Sequence, residues 1–152
     1  MKFFGMNNLR VRVSAILIRD DHILLIAHKK KNHIYWLLPG GGVEYGETLP
    51  DALKRELKEE LNVDVVVDDL IFTCDSIEPT GKRHIVHLFF RCDFVSDEMV
   101  LGTERRLHDF RFFNQNELDG IRIFPDIRED IKSILRNDEI EVRYRRKPWM
   151  PL

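Results

Sequence analysis

The sequence has few cysteines, and none of them belongs to a recognisable cysteine-based site. Cys74 and Cys92 are its only cysteines, which is too few for a disulfide framework. Neither belongs to the CxxC or Cys/His patterns that are typical of zinc sites. We therefore expect two buried thiols in a protein of a reducing compartment.

The sequence also lacks a long apolar run and an excess of charge of one sign. No apolar run approaches 18 residues, so no transmembrane helix and no membrane partner are predicted. Lys and Arg number 24 and Asp and Glu number 26, a net charge of −2. Because such a balance gives no overall field to attract a polyanion, it does not favour a nucleic-acid partner. Residues 1–10 lack the apolar core of a signal peptide, and we expect a cytoplasmic, unprocessed protein.

The chain has 152 residues, a length that predicts a single domain over 1–152, with 137–152 as a C-terminal tail. Apolar runs separated by turn residues predict strands over 9–19, 23–27, 34–38, 63–67, 70–74, 85–94 and 110–113. Between two of these strands, the lysine-rich residues 28–33 predict a surface loop. Two helices are predicted, over 49–61 and 125–136. This order favours an α/β (α+β) fold with a mixed β-sheet between helices.

The helix predicted over 49–61 has clear signals at both ends. Thr48 is a suitable N-cap, and Leu53, Leu57 and Leu61 recur every four residues to form one apolar stripe. Asn62 is expected to end the helix, because asparagine tolerates the left-handed conformation better than other residues with a side chain.

Three carboxylates lie on the same helix. Glu56, Glu59 and Glu60 have two interpretations. They form either a solvated acidic face paired with neighbouring Lys and Arg, or an oxygen-rich site for a hard divalent cation. Glu59 and Glu60 are adjacent and lie in the last turn, where the helix dipole disfavours anions. A bound cation would relieve that repulsion.

A glycine-rich loop precedes this helix and adds weight to the second interpretation. Alone, the Gly40-Gly41-Gly42 run matches neither the dinucleotide fingerprint nor the P-loop. Together with the helix it forms a fixed pattern: Gly41, five residues, Glu47, seven residues, Arg55-Glu56-Leu57, one residue, Glu59-Glu60, one residue, Asn62-Val63. This stretch resembles the 23-residue box of the Nudix hydrolases at every defined position except Asn62, where the family has glycine. The entry YWLLPGGGVEYGET and the late Phe112-Phe113 and Glu117-Leu118 also resemble the family.

The resemblance implies a Nudix-like α/β/α sandwich and a metal-dependent hydrolase. The family cleaves a nucleoside diphosphate linked to another moiety, through attack of a metal-activated water on phosphorus. Carried over, Glu56, Glu59 and Glu60 are the expected ligands of Mg²⁺ or Mn²⁺, with Glu47 and Arg55 as a supporting pair. The backbone at Gly40 or Gly41 is expected to add a ligand and to border the substrate.

Two further site predictions are less specific. The resemblance implies that the base is either one of Glu56, Glu59 and Glu60 or a carboxylate from a later loop, where we prefer Glu104 to Glu98. The alternative for Glu104 is a solvated residue beside two arginines. Trp36, just before the glycine loop, is a candidate to stack on a nucleobase, with a core position as the alternative.

The substrate is predicted only as a class of small nucleotide derivative. ADP-ribose or a nucleotide sugar and a nucleoside triphosphate are the leading candidates. In the family that the sequence resembles, members that act on ADP-ribose tend to carry a proline shortly beyond the box, and Pro79, 17 residues after Asn62, weakly resembles this pattern. Members that act on dinucleoside polyphosphates tend to carry a tyrosine in this region, and 63–83 contains none. A catalytically silent nucleotide sensor and an RNA 5′-pyrophosphohydrolase are the alternatives. The apolar residues of 148–152 are candidates for packing across a homodimer.

Overall fold

The computed structural model describes residues 8–96, 98–141 and 143–151, and within these ranges the chain forms nine strands and two α-helices. Residues 1–7, which carry most of the prediction of an unprocessed start, lie outside the described residues. The strands are β1 (Leu9–Ile16), β2 (Ile18–Arg19), β3 (His22–Lys30), β4 (His33–Leu37), β5 (Gly40–Gly42), β6 (Val65–Ile77), β7 (His84–Phe94), β8 (Leu107–Phe113) and β9 (Tyr144–Lys147). The helices are α1 (Leu49–Leu61) and α2 (Arg128–Leu135), with a 3₁₀ turn over Glu117–Gly120.

The strands form two sheets. The first is mixed and has the order β5-β1-β7-β6-β9, with β1 parallel to β7 and β6 antiparallel to β7. The second is antiparallel, and in it β3 pairs with β2, β4 and β8. The predicted mixed sheet is therefore confirmed, and a second sheet accompanies it.

The two helices lie on opposite sides of the sheets. Along β3, Leu24 and Ile26 belong to the apolar cluster that contains the buried stripe of α1, whereas Ile23 and Leu25 belong to the cluster that contains Ile131 of α2. Successive side chains of a strand point to opposite faces, so this alternation separates the two cores. The predicted α+β class with sheets between helices is confirmed.

The predicted surface loop over 28–33 is wrong. Strand β3 continues to Lys30 and β4 begins at His33, so the connection is a tight hairpin. Its two central residues, Lys31 and Asn32, have φ of 48° and 67°, as the type I′ turn requires. The end of this hairpin is exposed to solvent over residues 29–33. Its sequence therefore lacks the alternation of apolar and polar residues that predicts a strand.

Helix α1 has both of the predicted ends. The Thr48 hydroxyl accepts a hydrogen bond from the Asp51 N–H at 3.2 Å. At the other end Asn62 has φ 56° and ψ 35°, and its N–H donates to the Lys58 carbonyl. These caps fix where the helix ends, and therefore where its last turn holds Glu59 and Glu60.

The C-terminal tail packs on its own chain. Strand β9 pairs in parallel with β6, and Trp149 contacts Phe124 with ring centroids 5.5 Å apart. The tail therefore has an intrachain partner, and the expected packing across a dimer is not needed to cover it. Helix α2 begins at Arg128, three residues later than predicted, after the cis peptide bond between Phe124 and Pro125. None of the described helices is long and apolar enough to span a membrane.

Candidate active site

The glycine-rich strand β5 lies directly against α1. The Gly40 N–H donates to Oε1 of Glu60 at 2.8 Å. A Cβ at Gly40 would overlap the carbonyl oxygen of Val13, and a Cβ at Gly41 would overlap the carboxylate of Glu56. Glycine at these two positions therefore lets the strand approach β1 on one side and the helix carboxylates on the other.

Arg55 holds the carboxylates that flank the glycine loop. Its Nη2 lies 2.6 Å from Oε1 of Glu47 and its Nε lies 3.1 Å from Oε2, a bidentate pair. Its Nη1 donates to Oε1 of Glu56 at 2.8 Å and lies 3.6 Å from Oε2 of Glu59. Nη2 also donates to the Gly42 carbonyl. Arg55 is thus well placed to orient these groups.

The three carboxylates of α1 have different environments. The side chain of Glu60 is 4% exposed, that of Glu56 is 17% exposed and that of Glu59 is 61% exposed. Burial raises the pKa of Glu56, and the charges of Glu60 and Glu59 add to this against the opposing hydrogen bond from Arg55. By contrast, the hydrogen bond from Arg55 lowers the pKa of Glu47. A crowded, partly buried carboxylate beside a second one is favourable for a cation.

These residues fit a divalent ion by their chemistry. Carboxylate oxygens are the donors that Mg²⁺ and Mn²⁺ prefer, and the missing Cβ of Gly41 leaves room for the carboxylate of Glu56. In the described part of the chain, however, no three acidic, histidine or cysteine side chains already converge as a formed metal site. The carboxylates that could bind an ion are present, and their side chains would have to move closer together to coordinate it.

A cavity of about 620 Å³ opens beside the carboxylates. His28 joins the two, because it borders the cavity while its Nε2 lies 3.9 Å from Oε2 of Glu60. Six arginine and lysine residues border the cavity: Arg10, Arg12, Lys30, Lys31, Arg83 and Arg106. Glu78 is the acidic residue among its described lining, so the cavity as a whole is suited to an anion.

Arg12 is a member of this site that the sequence did not indicate. It is half-buried on β1, where it pairs in register with Gly42, and its Nη2 donates to the Leu38 carbonyl at 3.2 Å. Burial lowers its pKa, and the charges of Glu60 and Glu56 oppose that effect. In the sequence Arg12 is one polar residue in an alternating strand, and only the pairing of β1 with β5 brings it to the site.

The structure brings together most of the predicted site residues, but not all of them. Glu47, Arg55, Glu56, Glu60, Gly40 and Gly41 form one connected cluster, and Glu59 borders it. Trp36 is absent from the described cavity lining, and its ring packs against Phe113 with centroids 4.7 Å apart. This position supports the core alternative for Trp36.

Glu104 lies in a loop that passes over the C-terminal end of α1. In that loop the Gly102 N–H donates to the Glu60 carbonyl at 2.7 Å, and the Glu104 carbonyl accepts from the Leu107 N–H. The Glu104 residue itself is exposed. The loop is near the site, and the role of Glu104 as a base stays a prediction.

Comparison with known proteins agrees with this geometry. The profile of the NUDIX domain matches residues 8–137. The chain belongs to the Nudix family. This range includes the glycine loop, α1 and the basic residues of β1, β3 and Arg106.

The Nudix relatives of this chain include proteins with different substrates in their names. The chain is 33% identical over 129 residues to an "ADP-ribose pyrophosphatase" of Methanocaldococcus jannaschii, covering 83% of this chain and 73% of the relative. It is 35% identical over 89 residues to an "8-oxo-dGTP diphosphatase" of Proteus vulgaris, covering 56% and 78% respectively. Among solved structures, a MutT NUDIX hydrolase from Burkholderia pseudomallei matches with a TM-score of 0.66 at 28% identity, covering 73% of this chain and 87% of that one.

The predicted family and the predicted fold class are therefore confirmed: the chain is a member of the Nudix hydrolase family. Nudix hydrolases generally use a divalent metal ion. The Nudix profile stops at residue 137, so the segment that carries β9 and Trp149 lies beyond the part of the chain that the family pattern describes.

Proposed function

We propose that this protein hydrolyses a pyrophosphate bond in a nucleoside diphosphate derivative, with Mg²⁺ or Mn²⁺ held by Glu56, Glu59 and Glu60. The observation that carries the proposal is the junction of two features. Crowded carboxylates held by Arg55 and Gly40 lie beside a cavity bordered by six cationic side chains, and His28 of the cavity wall lies 3.9 Å from Glu60. A pyrophosphate ester needs both features, because its anionic phosphates must be bound while a water attacks one of them.

Each residue of the cluster has a task in this proposal. A divalent ion bound by the carboxylates would polarise the phosphate oxygens and acidify a water ligand. Arg55 keeps Glu47 and Glu56 in place, and the Gly40 N–H fixes one oxygen of Glu60. Arg12 contributes positive charge at the border between carboxylates and cavity, where the phosphates would lie. Glu104 is the proposed base, since its loop contacts the end of α1.

ADP-ribose or a nucleotide sugar and a nucleoside triphosphate are the proposed substrate classes. The relative named as an ADP-ribose pyrophosphatase supports the first class. Pro79, which weakly favoured it from the sequence, lines the cavity. The relative named as an 8-oxo-dGTP diphosphatase supports the second class.

The test is hydrolysis of ADP-ribose, nucleotide sugars, nucleoside triphosphates, dinucleoside polyphosphates and triphosphorylated RNA, with Mg²⁺, with Mn²⁺ and with EDTA, and the products are identified by chromatography. We expect turnover of one class with a metal and none with EDTA. Glu60→Gln keeps an oxygen to accept the Gly40 N–H but removes the charge, so activity should fall more than about 100-fold while the fold is retained. Full turnover by this variant, with an unchanged melting temperature, would contradict the assignment of Glu60.

The same panel separates the alternatives. Turnover confined to triphosphorylated RNA would identify an RNA 5′-pyrophosphohydrolase. Binding of nucleotides without any turnover would identify a sensor. The retention of all three carboxylates in the α1 cluster favours the hydrolase over the sensor.

A further inference from the structure

The C-terminal segment is attached to the body of the protein by strand pairing. Strand β9 lies parallel to β6, with Thr73 in register with Tyr144 and Ser76 in register with Lys147. At the start of the segment, the Thr73 N–H donates to the Arg143 carbonyl at 2.7 Å, and the Tyr144 hydroxyl donates to Oδ1 of Asp75 at 3.0 Å. The backbone of the segment is thus held against the edge of the mixed sheet.

A buried carboxylate on α2 holds the same segment from the other side. Asp130 is 3% exposed, and its two oxygens contact two cations of β9: Nη1 of Arg145 at 3.0 Å and Nζ of Lys147 at 2.9 Å. A buried carboxylate needs such compensation, because leaving it without a partner is costly. The two ion pairs of Asp130 therefore hold the end of β9, immediately before Pro148 and Trp149.

This attachment places Trp149 in the wall of the cavity. Its ring contacts Phe124 edge to face, and Phe124 in turn contacts Tyr35 with centroids 6.4 Å apart. The guanidinium of Arg83 lies 4.9 Å from the centre of the Trp149 ring and is itself held by Glu78, with Nε to Oε2 at 3.1 Å. All three aromatic residues line the cavity. One side of the cavity is therefore aromatic, whereas the carboxylates of α1 lie beyond Arg12 and His28.

We propose that Trp149 is a contact residue for the nucleobase of the substrate, and that β9, held by the ion pairs of Asp130 with Arg145 and Lys147, positions it. The inference rests on the proposed function, since it adds to that site the recognition of the base. A nucleotide has a flat aromatic base at one end and phosphates at the other. A series of contacts in the cavity wall has the same order: Trp149 contacts Phe124, Phe124 contacts Tyr35, and Tyr35 contacts His28, which lies 3.9 Å from Glu60. The cavity volume of about 620 Å³ lies within the usual range for a ligand of this size.

The protein carries two tryptophans, which allows a direct measurement. Trp36→Phe leaves Trp149 as the single emitter, and Trp36 packs in the core on Phe113. We would titrate this variant, in Mg²⁺, with AMP, GMP, CMP and UMP, which have no pyrophosphate bond and are not turned over. Ribose 5-phosphate, which has the sugar and phosphate without the base, is the matched control. We expect saturable quenching of Trp149 by at least one nucleotide and none by ribose 5-phosphate.

Affinity provides the second measurement. Trp149→Ala in the wild-type chain should weaken binding of the preferred nucleotide by about 5- to 150-fold, the range that loss of base–aromatic stacking gives. Binding of ribose 5-phosphate should not change. Trp149→Phe should restore most of the affinity, which separates loss of the aromatic contact from loss of the folded tail.

Three results would overturn the inference: no binding of any nucleotide, binding that leaves Trp149 emission unchanged, or a Trp149→Ala variant with wild-type affinity. Failure of the proposed function has a different signature. If a nucleotide quenches Trp149 in the Trp36→Phe variant but the wild-type protein hydrolyses no compound of the panel, the base contact is supported and the hydrolase assignment is wrong. If the wild-type protein hydrolyses a compound of the panel but Trp149→Ala binds nucleotides with wild-type affinity, the hydrolase assignment is supported and the base contact is wrong.

Discussion

Gly41 provides the space that the Glu56 carboxylate occupies, and replacing it by alanine tests the geometry of the site. A Cβ at Gly41 would lie 2.2 Å from Cδ and 2.3 Å from Oε2 of Glu56. Ordinary contacts are 3.4 Å or longer. Because the carboxylate is the far end of a flexible side chain, it can move by somewhat more than about 1 Å, leaving the backbone in place.

The expected result is a loss of activity that greatly exceeds the loss of stability. A misplacement of about 1 Å in a catalytic group costs roughly 100-fold in rate. The displaced carboxylate also loses its 2.8 Å hydrogen bond to Arg55, which costs about 1 kcal/mol at a partly exposed site. The lower entropy of the unfolded alanine chain returns about 0.4–1 kcal/mol. The free energy of unfolding should therefore change by no more than about 1 kcal/mol.

The assay is the rate of product formation from the preferred substrate, measured by chromatography, together with urea unfolding of the same preparations. Gly42→Ala is the matched control for stability, because a Cβ at Gly42 meets no atom within 4 Å. Gly120→Ala, on the 3₁₀ turn outside the site, is the control for activity. If Gly41→Ala keeps its rate within about threefold of wild type, the position of Glu56 is not critical and the assigned geometry is wrong.

Three further predictions concern stability and reactivity. Asn62→Gly should change the free energy of unfolding by no more than about 1 kcal/mol in either direction, because glycine adopts the φ of 56° without strain but gives the unfolded chain more entropy. A larger change in urea unfolding would show that the Asn62 side chain does more than end the helix. Burial, aided by the charge of Arg12 and opposed by that of Asp75, lowers the pKa of His87 from 6.5 to about 3. The unfolded chain therefore takes up a proton first as the pH falls, and the stability present above pH 6.5 is lost towards pH 3. This loss in the free energy of unfolding amounts to about 2 kcal/mol between pH 7.5 and 5.0, and it should be absent from His87→Gln. If the free energy of unfolding falls equally with pH in the two proteins, the assignment to His87 is wrong. Burial raises the pKa values of Cys74 and Cys92 to about 12, so a thiol reagent at about pH 8 should label them only after unfolding, whereas rapid labelling of the native protein would contradict their burial.

The local features of this protein were determined by the sequence alone. The stripe of Leu53, Leu57 and Leu61, the Thr48 cap and the Asn62 end specify α1 through contacts within four residues along the chain. The same short spacings put Glu56, Glu59 and Glu60 on one helix. The family pattern depends on these local spacings, and for that reason it was readable without a structure.

Tertiary structure alone decided how the cavity is built. Arg12 reaches the site because β1 pairs with β5, and Trp149 reaches it because β9 pairs with β6 and Asp130 holds Arg145 and Lys147. These contacts join residues that are distant in the chain, and sheet register has no local signal at a half-exposed strand. For the same reason, the second sheet was not predicted. Local periodicity identifies which face of an element is apolar, whereas the partner that covers it is chosen by the packing of the whole chain.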